Sequence, residues 1–371
     1  MNSRFYTPTA EHIAKLQKPW CASYSGGKNS TSLVTWIEWL RRTGQIKVDR
    51  PQLVQSDTTV EYPALQALSR GMMDLLKKCG WECAVVEPLI HEKLYNRILG
   101  IGNSPIHPGV TRMRWCTRST KIDPMNRWRD ANAGTEATTL TGLRIGESAM
   151  RDGKIKKRGC AAGGECGLPD LDERTWSPIL RWTLCNVIAW LNGDYDLEKS
   201  VRETMADVFD LTRKLVEVYE VEIDRNVFDG FDPYVKSARF GCIGCPAIQA
   251  EREPPKSSIR RHGRDSPLNE LYDVWFEARS SESRVVNLRV SRTKDRSKTP
   301  KPGPIRIEVR KRLFERVMDI QRRSGTTLIT PEDEAFIRDC WKRKVYPRGW
   351  SEADESVAAP VEASVFDGAK P

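Results

Sequence analysis

The first half of the chain alternates short apolar runs with stretches of helical periodicity. Residues 20–25 (WCASYS) read as a strand leading into a Gly pair, and Leu33, Ile37 and Leu40, with Trp36 beside them, mark one face of the helix that follows. A second unit comes next, with a strand around Leu53–Ser56 and a helix from about Tyr62 to Cys79. Trp81–Glu87 and Thr138–Leu143 read as further strands. This alternation predicts an α/β fold, a parallel sheet flanked by helices on both faces. Ligands of such sheets gather at the carboxyl ends of the strands, where the Gly-rich loop falls.

Beyond residue 145 the pattern changes. Residues 151–169 are rich in Gly, Lys and Arg, carry Cys160 and Cys166, and read as a loop. Helices fit 183–192 and 199–220, followed by a turn with Cys242 and Cys245. Residues 251–267 and 292–304 are rich in Pro, Ser and Arg and read as linkers or surface loops. A helix fits 305–323, with Val309, Leu313, Val317 and Ile320 on one stripe. Another begins at Thr330, which can cap it, with Pro331 in the first turn and Asp333 completing a capping box. Its buried side is Phe336, Ile337, Cys340 and Trp341. The expected organisation is an N-terminal segment 1–19, an α/β domain 20–248 that includes the cysteine site, a basic and mainly helical region 249–350, and a disordered tail 351–371.

Composition narrows the class. A hydrophobic content of 39% with twelve Trp supports a packed core and argues against global disorder. Sixty Lys and Arg against fifty Asp and Glu give a net charge of +10, which favours polyanionic partners such as nucleic acid or nucleotides. Arg260, Arg261, His262 and Arg264 form one basic cluster, and Arg289, Arg292, Lys294, Arg296, Lys298 and Lys301 form another. Each reads either as a nucleic-acid backbone contact or as a solvated surface loop. The first twenty residues carry no signal-like apolar run, and no uncharged stretch approaches the ~20 residues of a membrane helix. The expectation is a cytoplasmic protein with no membrane partner. Its ten cysteines then read as thiols or metal ligands rather than disulfides.

The loop Ser25-Gly26-Gly27-Lys28-Asn29-Ser30 carries the clearest chemistry. Glycines let the backbone approach phosphates, successive N–H groups point at them, and the helix that follows adds its positive end. Ser25 and Ser30 can donate hydroxyl hydrogen bonds while Lys28 neutralises charge. The Walker spacing fails at Ala22 and Asn29. A plain strand-to-helix turn is the competing reading.

These residues resemble the PP-loop (adenine nucleotide α-hydrolase-like) superfamily, whose loop reads S-G-G-x-D-S; Asn29 replaces the usual Asp. Further segments are similar to the phosphoadenylyl-sulfate (PAPS) reductase family: Ser56-Asp57-Thr58-Thr59-Val60-Glu61-Tyr62-Pro63, then Arg114-Trp115-Cys116-Thr117 with Lys121 and Pro124. Gly142-Leu143-Arg144 with Glu147-Ser148 and Arg151, and Pro178 through Trp182-Thr183, complete the set. Arg239-Phe240-Gly241-Cys242 with Cys245, and the region from Gly303-Pro304 to Trp341, resemble the DNA phosphorothioation sulfurtransferase (DndC) family. The resemblance implies ATP bound by Ser25, Gly26, Gly27, Lys28, Asn29, Ser30, Asp57, Arg144 and Glu147, with Mg²⁺. It implies a cysteine desulfurase as sulfur donor, and DNA or another nucleic acid and DNA-modification proteins as partners.

Cys242-Ile243-Gly244-Cys245 places two thiolates on one turn, and Cys160 and Cys166 can supply two more. Tetrahedral zinc, a [4Fe–4S] cluster and a redox-active thiol pair all suit this spacing; the resemblance favours the cluster. Cys116 reads as a persulfide-bearing nucleophile beside Arg114, Arg118 and Lys121, as a cluster ligand, or as a half-buried packing residue. Cys21, Cys79, Cys83, Cys185 and Cys340 sit in apolar patterns and read as packing residues.

The resulting expectation is an ATP pyrophosphatase and sulfurtransferase. A substrate oxygen attacks the α-phosphorus, pyrophosphate leaves, and sulfur then displaces AMP, with Lys28, Cys116 and Arg144 as catalytic residues. The alternatives are a reductase releasing sulfite from PAPS or adenylyl sulfate, and a nucleotide-sensing, DNA-binding subunit without catalysis.

Overall fold

The computed structural model describes residues 19–107, 115–146, 170–172, 175–194, 197–221, 242–247, 252–287 and 301–353. The chain forms two compact units, one from residues 1–57, 61–86 and 122–240, the other from 58–60, 87–121 and 241–371.

The first unit is built on a six-stranded sheet of order β3-β2-β1-β4-β6-β5. Its strands are β1 (Trp20–Tyr24), β2 (Gln52–Ser56), β3 (Glu82–Val86), β4 (Thr138–Leu140), β5 (Asp170–Asp172) and β6 (Thr175–Trp176). All pairings are parallel except β5 with β6. The predicted α/β architecture is therefore observed, with β4 ending at Leu140 rather than Leu143.

Two helices follow the first two strands, α1 (Lys28–Arg42) and α2 (Pro63–Lys78). Because β1, β2 and β3 step in one direction across the sheet, right-handed crossovers put α1 and α2 on the same face. The chain then returns past β1 to β4 through α3 (Asp123–Asn132), which the same rule places on the other face. On the α1 side stand Ala22, Tyr24, Leu53, Leu140 and Trp176, all in one apolar core. That core also takes in α4 (Leu184–Asn192) and, after α5 (Lys199–Thr204), α6 (Ala206–Val221). Every residue of α1 from Ser30 to Leu40 is buried, so the one apolar face expected of it was too narrow. Packed between the sheet and α4, the helix has no outward side over that span. Trp190 meets Trp39, Trp182 and Phe209 edge to face here. Met205 breaks the single helix expected over 199–220 into two.

The second unit has its own core. A π-helix, Asn96–Ile101, gives it Ile98 and Leu99, beside Leu94 and Tyr95. The helices α7 (Lys256–His262), α8 (Leu271–Arg279), α9 (Ile307–Ser324) and α10 (Pro331–Lys342) belong to it, with the antiparallel pair β7 (Arg284–Asn287) and β8 (Lys301–Ile305). The boundary expected at 248/249 is therefore corrected. Residues 87–121 join the carboxyl-terminal unit because Leu94, Ile98 and Leu99 pack with Leu313, Phe314 and Trp341. The loops expected at 251–267 and 292–304 contain α7 and the start of β8. The capping box at α10 forms as expected: Asp333 N–H donates to Thr330 Oγ1 (3.2 Å) and Thr330 N–H to Asp333 Oδ2 (3.2 Å). Of the segments 1–19 and 351–371, only Pro19 and residues 351–353 lie within the described residues. No described helix is long and apolar enough to cross a membrane.

Candidate active site

β1 lies at the point where the strand order reverses, with β2 on one side and β4 on the other. The segments leaving β1 and β4 flank the crevice where ligands of open α/β sheets bind. The loop Ser25–Ser30 leaves β1. Gly26 takes φ +68°, and a Cβ there would stand 2.8 Å from Ser69 Cβ, so the tight turn against α2 requires glycine. Ser25 Oγ and Ser30 Oγ are 3.0 Å apart, Ser25 N–H donates to Ser30 Oγ (3.3 Å), and Ser30 Oγ reaches the Gly27 carbonyl (3.0 Å). The loop is thus closed on itself by its two serines. Gly27 is the N-cap of α1, with no side-chain cap and no acidic residue in the first turn. The positive end of a buried helix therefore faces the loop without a local carboxylate against it.

The segment after β4 closes on this loop. A Cβ on Gly142 would stand 2.7 Å from Ser30 N and 2.8 Å from the Asn29 carbonyl, so only glycine allows the approach. Two residues on, Arg144 is 4% exposed; its Nε donates to Asn29 Oδ1 (3.1 Å) and its Nη1 to the Trp182 carbonyl (3.1 Å). The predicted G-x-R segment and the predicted loop are in direct contact, with Asn29 as the joint.

Asp57 follows β2. Gln66 Nε2 donates to its Oδ2 (2.7 Å), and Arg70 stands 3.6 Å from the same oxygen. Ser69, on the same face of α2, touches Gly26 and donates to Gln55 Oε1 (2.6 Å). Gln66, Ser69 and Arg70 were not singled out in the sequence, although their i, i+3, i+4 spacing puts them on one helix face. Tyr219 on α6 was also missed. Its Oη accepts from Lys28 N–H (3.4 Å), and Lys28 Nζ lies 4.4 Å from its ring centroid. No local signal could have found it, since the two residues are 191 positions apart.

Opposite α1, the sheet is unusually polar for parallel strands, which normally bury apolar residues on both faces. The register sets Cys21, Ser23 and Val54 beside Thr139, Thr141 and Thr175. A cavity of about 630 Å³ opens over them, bounded by Ile122, Met125, Asn126 and Arg129. Arg129 is held by Asp130 and donates to Thr139 Oγ1 (2.6 Å). Burial pushes the Cys21 thiol up to about 12, against a partial lowering by the Arg129 charge.

No protein-family model and no curated protein matches this chain.

Cys116, Cys242 and Cys245, the described cysteines read as candidates for sulfur chemistry, belong to the second unit. Cys242 and Cys245 are half-buried on a turn closed by Cys245 N–H to the Cys242 carbonyl (3.1 Å). Ile243 N–H donates to the Val60 carbonyl (2.8 Å), and Trp275 Nε1 to the Gly244 carbonyl (2.7 Å), so the turn is pinned from two sides. Cys116 lies in a short helix, Trp115–Thr117, half-buried against the core that receives Cys242. Its carbonyl accepts from Thr120 Oγ1 (2.9 Å). Cys160, Cys166 and Glu147 lie outside the described residues. Among the described residues no three metal-ligating side chains converge, so the turn itself offers two soft ligands of the four expected. Of the cysteines read as packing residues, Cys21 and Cys340 are buried, Cys79 and Cys83 half-buried, and Cys185 is exposed. Cys185 sits in the first turn of α4, whose buried stripe is Leu184, Val187, Trp190 and Leu191.

Proposed function

We propose that this chain is an ATP-dependent sulfurtransferase of the PP-loop, DndC-like type, which adenylylates a phosphate oxygen of nucleic acid and replaces it with sulfur. The observation that carries the reading is the approach of Gly142 and Arg144 onto the Ser25–Ser30 loop where the strand order reverses. A turn serving only to connect β1 to α1 has no need of a buried guanidinium or of a backbone approach that excludes a Cβ.

In this reading the loop amides and the α1 terminus take the β- and γ-phosphates, and Lys28 and Arg144 stabilise the charge that develops as pyrophosphate leaves. Ser25 and Ser30, already bonded to each other, hold the loop in its phosphate-binding shape. The polar sheet face beside the loop accepts the nucleoside, with Ser23 and Thr141 as hydrogen-bonding groups. Asp57 is an oxygen ligand of the kind Mg²⁺ takes, and the bound ion would neutralise the leaving pyrophosphate. The acceptor oxygen attacks the α-phosphorus, so the O–P bond to pyrophosphate breaks and an adenylylated phosphate forms. The terminal sulfur of a Cys116 persulfide then attacks the acceptor phosphorus and releases AMP. A second thiol takes the resulting S–S bond, leaving the sulfur on the phosphate and a disulfide for an external dithiol to reduce. Cys242 and Cys245, with Cys160 and Cys166, would hold an iron–sulfur cluster, which supplies a redox-active sulfur environment when bound. The half-buried Arg261, in the last turn of α7, and the exposed Arg264 just beyond it supply part of the charge for a nucleic-acid backbone.

The test is ATP turnover. Purified protein is expected to release AMP and pyrophosphate in the presence of a nucleic-acid acceptor and Mg²⁺, and Lys28→Ala and Ser30→Ala to abolish it. Unchanged turnover in both variants rejects the loop as the ATP site. Release of sulfite from PAPS, with no pyrophosphate from ATP, would establish the reductase instead.

A further inference from the structure

Tyr95 lies in the core of the second unit and is 3% exposed. Among the described residues its buried hydroxyl has no hydrogen-bond partner. Buried phenols ordinarily find one, because an unsatisfied O–H carries the full cost of its desolvation. The ring packs tilted at 51° against Trp275, centroids 5.5 Å apart, and the Trp275 indole N–H holds the Gly244 carbonyl in the middle of the Cys242–Cys245 turn. Burial raises the Tyr95 hydroxyl well above the ordinary phenol range, and the charges of Cys242 and Cys245 push it the same way. The hydroxyl therefore feels both thiols, yet bonds to neither sulfur. Tyr272 also feels both sulfurs, but the Ser258 side chain offsets part of the rise that burial imposes on it.

We propose that the Tyr95 hydroxyl is a hydrogen-bond donor to the group that Cys242 and Cys245 hold, satisfied only when that group is bound. This rests on the reading of those cysteines as ligands and assigns Tyr95 a positioning and tuning role. A sulfide or thiolate sulfur of an iron–sulfur cluster is an acceptor of suitable chemistry, and hydrogen bonds to cluster sulfurs are among the levers that set reduction potential. In the unloaded chain the O–H is a cost, and in the loaded chain it is a contact. Replacing it with hydrogen should therefore act in opposite directions in the two states.

The experiment compares the full-length chain with Tyr95→Phe, each before and after anaerobic loading with iron and sulfide. Without the cluster, the variant is expected to melt at the same temperature or higher. With it, the variant should take up the same iron, show a more negative reduction potential, and lose iron to a chelator about tenfold faster. A merely structural Tyr95 would lower the melting temperature in both states and leave the potential where it was, which overturns the proposal. Equal potentials and equal release rates overturn it as well. If the native chain binds no iron and Cys242→Ser changes nothing, the cluster reading itself fails, and Tyr95 with it.

Discussion

Arg144 Nε donates to Asn29 Oδ1 across 3.1 Å, tying the segment after β4 to the first turn of α1 through a neutral acceptor. The superfamily that the loop resembles has a carboxylate where Asn29 stands. An amide positions the guanidinium without neutralising it, whereas a carboxylate would form an ion pair with it. Asn29→Asp is thus expected to keep the fold but weaken ATP binding without Mg²⁺ by roughly tenfold, or ~1.4 kcal/mol, with Mg²⁺ restoring most of the loss. Asn29→Ala removes the acceptor from a buried guanidinium and should cost about 1–3 kcal/mol of stability. Calorimetric titration of ATP with and without Mg²⁺, with melting curves, checks both.

Gly142 offers a sharper steric test. Its added Cβ would meet backbone atoms, which cannot rotate away, so Gly142→Ala should push the two loop segments apart. Overpacking of this kind costs about 1–3 kcal/mol. ATP turnover is expected to fall much further than for Gly134→Ala, where a Cβ meets nothing within 4 Å. Both variants demand a parallel check, since each glycine has a positive or crowded backbone site; circular dichroism melts provide it.

Asp333 predicts how the second unit responds to acid. Burial alone would raise its carboxyl, but Asn96, the Thr330 hydroxyl and N–H, and the Lys93 ammonium at 3.3 Å outweigh it and hold the group below the ordinary range. A depressed folded value means stability that is present above the unfolded value of about 3.9 and lost as pH falls through the lower folded one. Asp333→Asn should be less stable at neutral pH by about 1–3 kcal/mol and lose less on acidification from pH 4 to pH 2. Melting temperatures of both proteins across that interval test the sign.

The thiols should react in an order set by burial. Cys185 is exposed, while burial raises Cys21 to about 12 and Cys83 and Cys340 to about 11. Iodoacetamide at pH 8 is expected to label Cys185 early and Cys21 and Cys340 only on unfolding. Mass spectrometry of a time course reads this directly, and early labelling of Cys21 would contradict its place under α3.

Nucleic-acid binding should weaken steeply with salt if the basic residues hold a backbone. A flat response between 50 and 200 mM salt, an interval over which several phosphate contacts cost orders of magnitude in affinity, would remove that partner.

The strands and helices around the loop were legible because β1, β2 and α2 each carry an unbroken local pattern, and Thr330 and Asp333 form a cap that needs only four consecutive residues. What escaped notice depends on distance along the chain. Tyr219 reaches Lys28, and Trp190 Nε1 reaches Thr35 Oγ1 (2.9 Å), across separations that no local window spans. Cys185 looked apolar in its window and proves exposed, because the helix face that packs is decided by α1 and α6 rather than by its neighbours in sequence. Residues 87–121 misled for the same reason, since the partners of Leu94 and Ile98 come two hundred residues later.

The path of the backbone passes from one unit to the other at 57/58, 60/61, 86/87, 121/122 and 240/241. Neither unit is therefore a contiguous stretch that could be excised, swapped into another protein, or acquired in a single genetic fusion. A chain truncated at 248 would leave Leu94, Ile98 and Leu99 without α9 and α10, exposing apolar surface in the middle of the remaining sequence. Such a fragment is expected to aggregate rather than report on the loop alone. Residues 87–121 and the helices that bury them are thus folding partners that have to be kept or lost together.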